Sequence, residues 1–161
     1  MTRAAIVVAA LLCAPLPATS SPDPLCSAVL EFDHAGDADT AFVVCLDVSA
    51  AAELYGLDPR LAVAVAWVES RLSAGAVSHC DAVGPMQVIS RLHCEQVPCR
   101  YVEGIDAGVR LIVRLLVSQG SARAALAAYN CGVRGARLRP DACAGYADRV
   151  LEIARALGWS E

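Results

Sequence analysis

The sequence predicts a compact, mainly α-helical domain with at most a minor β-hairpin. Three observations carry that expectation. Apolar residues recur at helical spacing in "EGIDAGVRLIVRLLVSQ" and "AGYADRVLEIARALG": Ile105, Val109, Ile112, Val113 and Leu116 form one stripe, and Val150, Leu151, Ile153, Ala154 and Leu157 another. Start and stop signals bracket the helical runs, with Asp58 and Pro59 at a helix start and Gly120 and Gly158 at helix ends. No succession of alternating apolar and polar segments marks a sheet. A chain of 161 residues suits one domain better than two.

Taken in order, Arg3, the apolar run from Ala4 to Leu12 and the exit through Pro15, Pro17, Ala18, Thr19 and Ser20 read as an export signal over residues 1–20, cleaved or retained as an anchor. The run is shorter than the roughly 20 residues needed to span a bilayer. Residues 21–48 form an acidic lead-in with Asp23, Glu31, Asp33, Asp37 and Asp39 among Pro22, Pro24 and Gly36, expected to be mostly irregular and tied down by a disulfide. The helical domain is expected over residues 49–161. Ser49 caps a short helix ending near Gly56, and "LDPRLAVAVAWVESRL" gives a helix from Asp58 to about Leu72, buried on most sides. Residues 73–84 read as loop, "PMQVIS" as one turn of helix, and "RLHCEQVPCRYVE" as a loop or small hairpin around Pro98. The long amphipathic helix ends at Gly120. Ser121 caps an alanine-rich helix stopped near Gly132, and Asp141 or Cys143 begins the last one.

The formal charge of −4 offers no basic face for nucleic acid and disfavours docking on an anionic membrane. Eight cysteines in so short a chain, behind an export signal, point to disulfides. Should Cys13 leave with the signal, seven remain. The preferred pairs are Cys26–Cys45 and Cys131–Cys143, with Cys80, Cys94 and Cys99 sharing one further bridge.

Glu69 ends the most apolar helical run of the domain, since Leu61 to Val68 contains no polar side chain. Desolvation and the negative end of the helix dipole both disfavour a charged carboxylate there, which is the condition a general acid needs near neutral pH. Alone, such a glutamate reads more readily as a solvated helix-end residue than as a catalytic acid. Ser78, the Gly84–Pro85 turn with Met86 and Gln87, Tyr129 and Asn130 at a helix end, and Tyr146 near the start of the last helix follow it in order. Each has an ordinary structural reading; the combination is what points to a site.

That combination resembles the soluble lytic transglycosylase family, with its goose-type lysozyme-like fold. "ESRLSAGAVS" (Glu69 to Ser78) matches its first motif, "GPMQ" (Gly84 to Gln87) the second, "AYNCG" (Ala128 to Gly132) the third and "GYADRV", with Tyr146, the fourth. "EGIDAGVRLIVRLL" is similar to the family's Asn-Ile-x-x-Gly helix. Pro85 stands where leucine is usual, Glu103 where asparagine is usual, and Cys80 and Cys131 are not typical. The resemblance implies cleavage of the β-1,4 bond between N-acetylmuramic acid and N-acetylglucosamine in peptidoglycan, with 1,6-anhydro ends. It implies Glu69 as acid and then base, with no metal or cofactor. Ser78, Met86, Gln87, Tyr129, Asn130 and Tyr146 would then position the substrate and Glu69. The implied partner is the glycan strand, met in the periplasm or outside the cell by a monomer; an envelope-spanning assembly is a candidate partner.

Two rival readings follow from the residues. A hydrolytic muramidase of the same fold needs a second carboxylate to activate water, for which Asp81 and Asp106 are the candidates. A non-catalytic wall-binding module stapled by zinc would draw its ligands from His79, Cys80, His93, Cys94 and Cys99.

Overall fold

The acidic lead-in is largely helical. The computed structural model describes residues 23–32, 36–95 and 98–161, so the export signal and Cys13 lie outside the described residues. Helix α1 (Pro24–Val29) starts where Asp23 accepts from the Cys26 N–H at 2.8 Å, with Pro24 in its first turn. Helix α2 (Ala38–Leu54) starts where Asp37 accepts from the Thr40 N–H at 3.0 Å. Two of the acids read as loop residues are therefore N-caps, which corrects the expectation of irregular chain. Ser49 does not cap a helix: it lies inside α2, its hydroxyl buried without a partner. The bridge Cys26–Cys45 staples α1 to α2, and both cysteines are fully buried.

Helix α3 (Pro59–Ser70) begins at Asp58, which accepts from the Arg60 N–H at 2.9 Å. Every residue from Leu61 to Trp67 is at most 2% exposed. Burying each of its larger side chains contributes roughly 1.5–3 kcal/mol, so α3 is the axis of the core. It stops at Ser70, two residues early, because Arg71 and Leu72 take positive φ (55° and 58°) and turn the Leu72 side chain back into the core.

The minor hairpin is present, earlier in the chain than expected. Strands β1 (Ala82–Val83) and β2 (Val88–Ile89) pair antiparallel, Ala82 opposite Ile89 and Val83 opposite Val88, with Val77 bridging to Val83. Gly84 to Gln87 is the connecting turn, closed by the Gln87 N–H on the Gly84 carbonyl at 3.2 Å, and not a turn of helix. Helix α4 (Ser90–His93) follows, and Cys94–Cys99 closes the next loop. Helix α5 (Tyr101–Gln119) starts two residues before Glu103, whose carboxylate accepts from the Glu95 N–H at 2.6 Å and closes the first turn. Gly120 ends it with φ 75°.

Helix α6 (Ala122–Leu138), capped by Ser121, continues past Gly132 through a kink (φ 69°, ψ 156°) where a stop was expected. Helix α7 (Pro140–Ala156) closes the domain and is stapled to α6 by Cys131–Cys143. Helix α3 packs between α2 and α7, while α6 bridges α5 and α7. Among the described residues no helix is long and apolar enough to cross a membrane, and Cys80 is an exposed free thiol.

Candidate active site

Glu69 occupies the last turn of α3, after seven consecutive buried residues, Leu61 to Trp67, and the half-buried Val68. Burial raises its carboxyl pKa; a hydrogen bond from Tyr146 opposes the rise without cancelling it. Tyr146, on α7 and only 6% exposed, donates from its hydroxyl to Glu69 Oε1 at 2.7 Å. The direct packing of α3 on α7 places this pair. Tyr129, on α6, donates to the Met86 carbonyl at 2.7 Å. Burial pushes both phenols well above the ordinary tyrosine range, and the Glu69 charge adds to the rise in each. Glu69, Tyr146 and Tyr129 thus form one electrostatic cluster.

The turn from Gly84 to Gln87 is held against this cluster by groups that differ in how well the sequence advertised them. Ser70 shares its hydroxyl proton between the Ala66 carbonyl (3.1 Å) and the Pro85 carbonyl (3.0 Å), and accepts from the Ser73 N–H at 3.1 Å. It therefore ties the end of α3 to the turn fifteen residues on. Met86 is fully buried under α5, where Gly108 leaves it room: a Cβ on Gly108 would lie 2.6 Å from Met86 Cβ. Gln87, itself at φ 46°, donates its amide to the carbonyls of Gly84 (2.9 Å) and Ala76 (3.2 Å).

Of the expected site residues, Glu69, Met86, Tyr129 and Tyr146 come together. Gln87 stitches the turn. The hydroxyl of Ser78 accepts from the Cys80 N–H (3.2 Å) and the Ala82 N–H (3.1 Å), so it shapes the loop beneath β1 and its hydrogen bonds do not reach Glu69. Asn130 is exposed, its amide 3.6 Å from Cys131 Sγ. Sequence reasoning passed over Ser70 and Gly108, although Ser70 directly follows Glu69 in "ESRLSAGAVS" and Gly108 lies in the segment similar to the Asn-Ile-x-x-Gly helix.

The carboxylates proposed for a second role are engaged elsewhere. Asp81 is exposed at φ 61° and lines a groove with Val77, Val83, Ile89 and Pro98 that does not include Glu69. Asp106 accepts from the Tyr55 hydroxyl and pairs with Arg110 at 3.1 Å. Cys94 and Cys99 are bonded to each other, which removes two of the candidate zinc ligands.

No curated protein and no solved structure matches the chain. The family model described as the transglycosylase SLT domain matches residues 48–139, from within α2 to the end of α6, so that Glu69, the Gly84–Gln87 turn and Tyr129 fall inside the match and Tyr146 beyond it. With more than half of its length matched and the motifs assembled around Glu69, the chain belongs to the transglycosylase SLT family of peptidoglycan-cleaving domains.

Proposed function

We propose that this protein is a lytic transglycosylase, exported to the periplasm or cell wall, in which Glu69 alone serves as acid and base. The protonated carboxyl donates to the glycosidic oxygen as the bond to muramic acid breaks. The ring then carries oxocarbenium character, supported by the sugar's own N-acetyl group. Ionised Glu69 next takes the proton from the muramic acid 6-hydroxyl, whose oxygen bonds to the anomeric carbon and gives the 1,6-anhydro end. Atoms and charges balance without water, metal or cofactor.

The observation that carries this reading is the Glu69–Tyr146 pair. A carboxyl raised by burial is protonated at higher pH than a free one, while one phenol donor, 2.7 Å away, stabilises the carboxylate once the proton has left. Tyr129 and Ser70 hold the turn through the Met86 and Pro85 carbonyls, Gln87 stitches it and Ser78 shapes the loop before it, while exposed Asn130 is left to position the substrate. A hydrolase would want a second carboxylate across the sugar, whereas Asp81 is exposed beside a groove that does not include Glu69, and Asp106 is held by Tyr55 and Arg110. The three disulfides among the described residues suit an oxidising compartment. The test is Glu69→Gln on purified peptidoglycan. Release of muropeptides should stop while the circular dichroism spectrum and cooperative melt persist. Undiminished release would end the assignment.

A further inference from the structure

Beside the Glu69–Tyr146 pair, α3 and α7 leave a hollow of about 400 Å³ lined by Val68, Arg71, Arg149, Glu152 and Ile153. Its two arginines come from the segments that carry the pair: Arg71 is two residues past Glu69, and Arg149 is one helical turn past Tyr146. Val68 adjoins Glu69 in the chain and Arg149 follows Tyr146 by one turn of α7, so the hollow borders the segments that hold the pair. Neither guanidinium is ion-paired among the described residues, whose salt bridges are Arg60–Asp58, Arg110–Asp106 and Arg123–Asp148. Glu152 is the single acid in the lining, so the hollow is net positive in a chain whose formal charge is −4.

Arg71 is also held in an unusual way. It closes α3 in the left-handed region (φ 55°, ψ 39°), a position glycine ordinarily fills. Its guanidinium carbon lies 5.0 Å from the Trp67 ring centroid, and it reaches the Trp67 carbonyl at 3.5 Å. The stack orients the planar fork and leaves its remaining N–H donors for an anion, since guanidinium suits bidentate recognition of carboxylates.

We infer that Arg71 and Arg149 form a carboxylate subsite for the stem peptide of the substrate, making the enzyme selective for peptide-bearing glycan strands over denuded ones. This rests on Glu69 acting at the muramic acid bond. The stem is carried through the lactyl ether on C3 of the same ring whose C1 reacts, so a substrate seated on Glu69 must send its peptide out within a few ångströms of it. Stem peptides bear free carboxylates, and the net-positive hollow next to Glu69 is where two arginine side chains meet them.

The experiment compares peptide-bearing strands with the same strands after amidase removal of their stems, for the wild type, Arg71→Ala, Arg149→Ala and Arg149→Lys. The readout is the ratio of kcat/KM on the two substrates. Wild type should favour the peptide-bearing strands through KM, and each alanine variant should lower the ratio by up to about fivefold, as exposed ion pairs do. Together the two substitutions should erase most of a preference on the order of tenfold. Arg149→Lys should recover part of it, and added salt should erode it in the wild type. A wild-type ratio of one, or a ratio that survives both alanine substitutions, would overturn the inference while leaving Glu69 its role. Cleavage of neither substrate by the wild type would remove both together.

Discussion

Replacing Gly108 with alanine tests the packing that holds the Gly84–Gln87 turn, because two effects of opposite sign meet there. In an open helix Gly→Ala stabilises by about 0.5–1 kcal/mol. At Gly108 the new Cβ would sit 2.6 Å from Met86 Cβ and 2.9 Å from Met86 Cγ. The Cγ can swing away, but Met86 Cβ is fixed to its backbone, and overpacking of this kind costs about 1–3 kcal/mol. Taking the upper end of that range, the net loss is about 2 kcal/mol, or roughly 4–8 °C in Tm for a chain of this size. Gly145→Ala is the comparison: it lies in α7 with nothing within 4 Å of its would-be Cβ, so it should gain about 0.5–1 kcal/mol. Thermal melts of both variants give the sign directly. Muropeptide release should fall further in Gly108→Ala than its stability alone explains, because the Met86 carbonyl holds the Tyr129 hydroxyl. Equal stabilisation by both substitutions would mean that Met86 does not fill the space above Gly108.

Three further outcomes follow from the site. In Tyr146→Phe the carboxylate of Glu69 loses its donor, so its pKa rises further and the high-pH limb of kcat/KM should move up; the rate falls, and Tm shifts by no more than the roughly 2–4 °C of one net hydrogen bond. An unmoved limb would disconnect Tyr146 from Glu69. Because the folded-state pKa of Glu69 lies above its unfolded value, its buried charge costs nothing at acid pH and destabilises as pH rises through the folded pKa. Glu69→Gln should therefore melt higher than the wild type near pH 7 and converge with it below about pH 4, the range of a free glutamate; a variant less stable at pH 7 would contradict the desolvation. Replacing Cys131 and Cys143 with serine removes the staple between the helices that carry Tyr129 and Tyr146, and should lower stability by about 2–4 kcal/mol and activity with it; a loss below 1 kcal/mol would show that α6 and α7 hold each other unaided.

The elements legible in the sequence are those with end signals and either a one-sided apolar stripe or an unbroken apolar run. Helix α3 announces itself by Asp58, Pro59 and an unbroken apolar run, and α5 by its stripe and Gly120. Helix α2 does not. Its apolar residues go all round, with Val43 54% and Leu54 76% exposed, so no stripe separates it from the acidic segment before it. The hairpin strands are two residues each, too short to alternate. Glycine misled at Gly132, where a positive φ kinks a helix that then resumes.

The site divides in the same way. The burial of Glu69 was legible because the residues before it carry no polar side chain, and Cys26–Cys45 and Cys131–Cys143 pair as preferred. Ser70 was not legible, because its work is a hydrogen bond to a carbonyl fifteen residues away. Ser78 read as a partner for Glu69, yet two backbone N–H groups of its own loop already occupy its oxygen. Long-range hydrogen bonds leave no mark on local pattern, whereas burial and caps do.

The most direct measurement is mass spectrometry of the muropeptides that the oxidised protein releases from purified peptidoglycan. A transglycosylase working through Glu69 alone should yield muropeptides one water lighter than their reducing-end counterparts, and Glu69→Gln should yield none. Reducing-end products that carry oxygen from labelled water would contradict the single-carboxylate mechanism.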